Sequence, residues 1–419
     1  MYNFKMKILF CFLCSLNLFL APAAAGDLEK AADAAARQVA EEPRGLEELF
    51  DKSFFRHISL ENLSSLFSGL YKEHGAVEAA VLVSSKASSG HFYFDTAKGL
   101  RIPVALSVEP ANGKINGLFF RPAYKKDVTL RGVREGLAAL PGRAGLLARR
   151  LGEKPENLEA LGSDESFAIG SAFKLYVLGT LVRSKTPWDK VFNLREGDRS
   201  LPSGRLQDWP DDSPLTAHTL ATLMISESDN TASDLLIDRL GRRKIEDSLA
   251  SLGHSDPARL KPFLKTSEMF KLKSGTAAAL KYLNLPAAEK YGFLDSLAKE
   301  PLEIEKFTRS PFGVDKVEWF ASPADLCRAM EYLEREGGVK ALEVMALNPG
   351  LSIPENAFLY AGYKGGSEPG VLSTTWLLKN KKSEWYCLSA SWNDEADNLD
   401  QKKFLALMQS ALNALAAAE

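Results

Sequence analysis

The chain has 419 residues, 45% of them hydrophobic and 25% charged, which excludes disorder and collagen-like repeats and leaves room for one large or two medium globular domains. Its 52 basic residues nearly balance 54 acidic ones for a formal charge of -2, and no block of like charges marks a nucleic-acid or anionic-membrane footprint. A small neutral or anionic ligand is the expected partner, with no nucleic acid. The histidines, His57, His74, His91, His218 and His254, lack metal-ligand spacing, and neither CxxC nor HExxH occurs, so no metal and no cofactor is expected.

At the N-terminus, Lys5 and Lys7 precede the apolar run Ile8 to Ala21, and Ala23-Ala24-Ala25 supplies small residues before Gly26. This is the pattern of a secretory signal peptide over residues 1–25. The apolar run is shorter than the roughly 20 residues that span a bilayer. The expectation is an exported protein, periplasmic or extracellular in a bacterium, with no stable membrane anchor after signal cleavage. Cleavage removes Cys11 and Cys14 and leaves Cys327 and Cys387. Two cysteines are too few for a disulfide scaffold, and either one bridge or two buried thiols fits.

Apolar spacing between Leu46 and Glu73 predicts two short helices. The β-branched and aromatic runs VEAAVLVSS, GHFYFD, LRIPVALSVEP and KINGLFFRP, separated by turn-forming residues, then predict an antiparallel sheet of hairpins. Together they make a small α+β domain over residues 27–125, whose element order resembles the cystatin or nuclear-transport-factor-like (NTF2-like) fold. It contains no catalytic pair and reads as a packing or targeting module. A second domain follows over residues 128–419: a helix near KKDVTLRGVREGLAAL, then strand, turn and strand over GRAGLLARRLG and NLEALGSDESFAIG, and a helical middle. It ends in the strands FLYAGYKGG, GVLSTTWLLKN and SEWYCLSASWN and a closing helix. Strands at both ends with helices between them imply that the first and last thirds pair in space.

The chemistry starts at Ser171-Ala-Phe-Lys174, since residues three apart share a helix face and place an amine beside a hydroxyl. An amine whose charge is disfavoured can take the proton of the serine and make it a nucleophile. Gly170 permits a sharp entry, and the helix start favours developing negative charge. Ser296-Leu-Ala-Lys299 has the same spacing and reads as a solvated helix face. Ser228-Asp229-Asn230, the more specific signal, lies at a break between two helices, where an N-cap by itself would explain it equally well. Lys364-Gly365-Gly366 lies on a strand, where glycine allows close approach of a substrate backbone. Lys273-Ser274-Gly275 is a rival, but its surroundings read as helix. Replacing Lys364 by Ala is therefore expected to lose most of the activity of the serine, and replacing Lys273 by Ala to change it little.

The ordered motifs SAFK, SDN and KGG, with LQDWPDDSPLTAHTLATLM and SESDNTASDLLIDRLG, resemble the class A serine β-lactamase and penicillin-binding superfamily over about residues 128–419. The chain looks most similar to β-lactamase-like proteins with an extra N-terminal domain, such as the one associated with clavulanic acid biosynthesis. The resemblance implies an α/β (α+β) domain, a mixed antiparallel sheet with a helical subdomain and the site in the cleft between them. It also implies a small-molecule β-lactam or cell-wall peptide-like substrate. By motif, Ser171 is the acylated nucleophile, Lys174 its base or proton relay, and Ser228 the proton donor to the departing nitrogen. Lys364 supplies positive field, Asn230 bonds a substrate amide, and Gly366 and Ser367 line the substrate, with the Ser171 and Ser367 amides as oxyanion donors. Two departures stand out. Gly365 replaces a Ser or Thr, and no ExxLN pattern supplies a deacylating glutamate, leaving Glu305 or Glu303 as candidates. Three readings follow: a β-lactamase-like serine hydrolase, a DD-peptidase or esterase-type acyl hydrolase, and a non-catalytic antibiotic- or cell-wall-binding protein.

Overall fold

The computed structural model describes residues 25–301, 307, 309–354 and 356–417. Residues 1–24, which carry the signal-peptide reading, and Glu303 and Glu305 lie outside the described residues. Contacts group the chain into two units, one reaching to Arg121 and one beginning at Pro122.

In the first unit, helix α1 (Ala25–Arg37) buries Leu28, Ala31, Ala32, Ala35 and Ala36 along one face. That stripe is mostly alanine, too weakly apolar to stand out in the sequence. Of the two helices expected between Leu46 and Glu73, the second forms as α2 (Leu60–His74), with Ser59 accepting from the Asn62 amide at its start. The first shrinks to one turn, Leu46–Leu49. Asp51 ends it: Oδ1 accepts from the Ser53 amide at 2.8 Å and the Ser53 hydroxyl at 2.7 Å, a local turn that competes with the helix. Strands β1 (Val77–Lys86), β2 (Ser89–Thr96), β3 (Leu100–Val108) and β4 (Ile115–Phe120) then pair antiparallel in chain order. Phe92, Phe94, Ile102, Val104 and Leu106 alternate along them into the core.

The second unit opens with α3 (Leu130–Ala138), capped by Thr129, and the hairpin β5 (Arg143–Arg150) and β6 (Glu156–Leu161). Its sheet is completed from the far end of the chain by β9 (Phe358–Glu368), β10 (Val371–Asn380) and β11 (Trp385–Asn393), in the order β9-β10-β11-β5-β6. The join is the antiparallel β11–β5 ladder, from Tyr386 opposite Arg150 to Asn393 opposite Arg143. Both faces are buried. Trp376, Leu378, Leu388 and Trp392 pack with α3 and the terminal helix α9 (Gln401–Ala417), while Leu377 and Cys387 face the helical middle. That middle includes α4 (Lys174–Arg183), α5 (Ala217–Ser226), α6 (Asn230–Leu240), α7 (Thr266–Ser274) and α8 (Pro323–Glu336). Two short strands, β7 (Phe167–Ala168) and β8 (Phe320–Ala321), pair beneath the start of α4.

Of the two states open to the cysteines, the structure takes the bridge: Cys327 on α8 is bonded to Cys387 on β11 across 60 residues of chain. Closing a loop of that length removes about 4 kcal/mol of unfolded-state entropy. The double variant Cys327→Ala/Cys387→Ala is expected to unfold at lower denaturant with stability reduced by about 2–4 kcal/mol. An unchanged midpoint would show that the bridge contributes nothing. No described helix is long and apolar enough to cross a membrane.

Candidate functional site

Ser171 sits in a 3₁₀ turn, Gly170–Phe173, that runs directly into α4. The preceding strand is fixed from two sides. The Ile169 amide donates to the Trp319 carbonyl at 3.0 Å, and the buried Asn393 side chain bonds both polar groups of Ala168, at 2.8 and 3.0 Å. Gly170 has φ 47, a conformation that favours glycine. A Cβ there would lie 3.1 Å from the Ser367 amide nitrogen.

Strand β9 can come this close because of Gly366. Any Cβ at 366 would strike the Ile169 carbonyl oxygen and the Ser171 amide nitrogen. The amides of Ser171 and Ser367 therefore lie on adjacent backbones at the mouth of one cleft, of about 350 Å³, which Ser228, Asn230 and Lys364 also line. On an acyl-transfer reading of Ser171, Gly366→Ala is expected to push β9 off the turn and slow acylation by about 10²–10³, the usual effect of losing an oxyanion donor. An acylation rate within threefold of the wild type would show that the close approach is not needed.

Lys174 is wholly buried. Its Nζ donates to the Ser228 carbonyl at 2.7 Å, the Ser228 Oγ at 3.0 Å and the Asn230 Oδ1 at 2.8 Å. Burial, and then the charge of Lys364, hold it well below the usual lysine range, against the opposing pull of Asp229 and Asp234. Lys364 on β9 donates to the same Ser228 Oγ at 3.1 Å and to the Gly365 carbonyl at 2.6 Å. Burial brings it down to about 7. Ser228 Oγ is thus the meeting point of two amines whose environment disfavours a second positive charge.

The SDN segment divides its work. Ser228 has φ 56, a strained conformation for a residue with a Cβ, of the kind that costs about 1–3 kcal/mol. It is held there by Asp229, the N-cap of α6, whose carboxylate accepts from the amides of Ala232, Arg205 and Leu206. The N-cap reading is therefore right for Asp229, and it serves to display its neighbours. Asn230 Oδ1 accepts from Lys174, and its side-chain amide donates one N–H to the Leu201 carbonyl at 3.2 Å. One N–H and one lone pair remain for a ligand.

Sequence reasoning missed three groups. Tyr363 is half-buried against Trp376, ring centroids 4.9 Å apart, and its hydroxyl occupies the space that a Cβ at Gly365 would need. The signal was an aromatic residue two positions earlier on the same strand face. Asn393 and the buried Thr374, a lining residue, carried no motif. The rivals are placed differently. Ser296 Oγ folds back onto the Gly292 carbonyl on an exposed helix face, whereas Lys273 is buried and paired with Glu318 and Glu368. The lining carboxylates among the described residues are Glu227, bonded to Arg205 at 2.6 Å, and Glu368. Among the described residues no cluster of His, Cys, Asp or Glu could hold a metal ion.

Residues 131–340 match the model of a family described as the Beta-lactamase enzyme family. No curated protein matches the chain. Among solved structures, a β-lactamase from Sphaerobacter thermophilus DSM 20745 is 21% identical with TM-score 0.48, covering 69% of this chain and 96% of that one. PBP-A, in an L158E acyl-enzyme complex with penicillin G, is 17% identical with TM-score 0.46, covering 69% and 95%. A class A β-lactamase from Mycobacterium abscessus is 15% identical with TM-score 0.47, covering 69% and 97%.

Proposed function

The chain belongs to the β-lactamase enzyme family, and from that premise we propose that it is an exported serine hydrolase, acylated at Ser171 by a β-lactam or a cell-wall peptide-like amide. Ser171 Oγ attacks the carbonyl carbon while its proton passes to neutral Lys174. The carbonyl oxygen, now an anion, is held by the Ser171 and Ser367 amides, each worth roughly 3 kcal/mol in such a role. When the C–N bond breaks, the Ser228 hydroxyl gives its proton to the departing nitrogen and recovers one from Lys174. Lys364 holds the substrate carboxylate as a point charge, and Asn230 takes a substrate amide with its remaining N–H. Water then cleaves the ester.

The observation that carries this reading is the convergence of Lys174 and Lys364 on Ser228 Oγ, at 3.0 and 3.1 Å, beside the Ser171 turn. Burying two amines against one hydroxyl is costly, and a non-catalytic binding protein has no need of that arrangement. Mass spectrometry after incubation with a fluorescent penicillin tests it, with a single adduct on Ser171 as the expected result. An unmodified protein would leave the binding-protein reading standing. The disulfide supports an oxidising, extracytoplasmic location.

The N-terminal unit reads as a cystatin- or nuclear-transport-factor-like packing module, separate from the hydrolase domain. Limited proteolysis is expected to cut between Lys125 and Arg134 and release a fragment that penicillin still acylates. An unreactive fragment would mean that the first unit completes the hydrolase.

A further inference from the structure

Outside the motifs, three buried charged side chains meet at the end of the cleft. Lys273 Nζ on α7 donates to Glu318 Oε1 at 3.1 Å and also to Glu368 Oε1, and the side chains are 9%, 0% and 6% exposed. Each carboxylate belongs to an element that holds one oxyanion amide. Glu368 follows Ser367 at the end of β9. Glu318 precedes Trp319, whose ring stacks on Phe173 at 3.9 Å and whose carbonyl accepts from Ile169, just before Ser171. We propose that Lys273, acting through Glu368 and Glu318, is a positioning residue that holds the oxyanion end of β9 against the Ser171 turn. The proposal rests on the acyl-transfer reading of Ser171.

Two carboxyls share one ammonium, so the clamp depends on charge. The charged groups facing Glu368 are Glu318, from the segment before β8, and Lys273, from α7; its neighbours in the adjoining small pocket are Phe270, Phe307, Ser310, Phe312 and Pro369. Burial first, and Glu318 second, push the Glu368 carboxyl well above the usual range. Without the ammonium, the two acids can stay together only while they share a proton. As pH rises both ionise, repel, and drive the end of β9 away from the turn. A glutamine at 368 removes the second charge and supplies an N–H that can donate to Glu318.

The test compares the wild type with Lys273→Met, Lys273→Arg and Lys273→Met/Glu368→Gln, by acylation with a fluorescent penicillin from neutral to mildly alkaline pH. Lys273→Met should acylate about 10- to 100-fold more slowly, the scale of an ångström-sized misplacement, with a deficit that widens as pH rises and half-saturation little changed. The double variant should recover most of the rate and lose the pH dependence, and Lys273→Arg should stay within about threefold of the wild type. Hydrogen exchange reads the clamp without substrate: Lys273→Met should speed exchange in segments 167–174 and 364–371, and the double variant should slow it again. A wild-type rate in Lys273→Met, or a deficit flat in pH and unrelieved at 368, would overturn the proposal and leave Lys273 a stability residue. If the wild type is not acylated at all, the acyl-transfer reading fails and the exchange pattern alone decides the clamp. If Lys273→Met does not fold, Glu368→Ala keeps the Lys273–Glu318 pair and cuts only the link to β9. Unchanged exchange in 364–371 in that variant would count equally against the clamp.

Discussion

Ser171→Ala is expected to form no covalent adduct with a fluorescent penicillin, and Lys174→Met to form one about 10²–10⁴ times more slowly, the usual worth of a positioned general base. Adduct formation that survives in Ser171→Ala but is lost in Ser296→Ala would put the nucleophile elsewhere. The pH profile carries the same argument. In the proposed mechanism acylation needs Lys174 neutral and Lys364 charged. Burial and Lys364 hold Lys174 well below the usual lysine range, which favours its neutral form. Lys364 titrates at about 7, so the rate should fall as pH rises through that value. Stability should move the other way. Both lysines release protons on folding, so between the depressed values and about 10.5 the unfolded chain binds more protons and folding stability rises with pH. Lys364→Met, which removes a buried amine, should therefore lose most acylation while its melting temperature rises; each kcal/mol gained is worth about 2–4 °C in a domain of this size. A variant that loses both would mean that the Lys364 bonds to Ser228 and Gly365 outweigh the cost of burying it.

How much of this was legible in the sequence depends on whether a residue acts locally. The SAFK turn, the break at Ser228 and the strand at Lys364 are local patterns, and each falls on the expected kind of element. So does the pairing of β5 with β11, because unsatisfied strands at both ends of a helical segment leave few other arrangements. What escaped was whatever depends on distant contacts. Asn393 looks like the end of a strand until its amide is seen pinning Ala168. Gly365 looks like a lost hydroxyl until Tyr363 is found filling the space. Lys273 lies in a helix, as its surroundings predict, yet its charge is committed to Glu318 and Glu368, partners that no local pattern announces. Helix α1 escaped for a different reason, since alanines bury little area each and cooperate only when a sheet covers them.

A chromogenic cephalosporin is expected to give a burst near one equivalent of enzyme followed by a slow steady phase, with deacylation at least about 10² slower than acylation. Breaking the acyl ester needs a water with a base within about 3 Å. The described carboxylates lining the cleft are both engaged: Glu227 is bonded to Arg205, and Glu368 is held by Lys273 beside a second acid that raises its proton affinity. Neither is poised as a free carboxylate. Among the described residues, Lys174 is the base that the proposed mechanism leaves for this step. It regains its neutral form once the Ser171 proton has passed through Ser228 to the leaving nitrogen, and three contacts, to the Ser228 carbonyl, Ser228 Oγ and Asn230 Oδ1, hold it in place. A neutral amine has two N–H groups for the two carbonyl oxygens and a lone pair for the Ser228 hydroxyl, so it is well placed to relay a proton along Ser228 but must give up that contact to activate a water. That requirement slows the second half of the reaction more than the first. Stopped-flow absorbance resolves the two phases. Fast turnover without a burst, abolished by Glu305→Gln or Glu303→Gln, would sink this reading and assign deacylation to that glutamate.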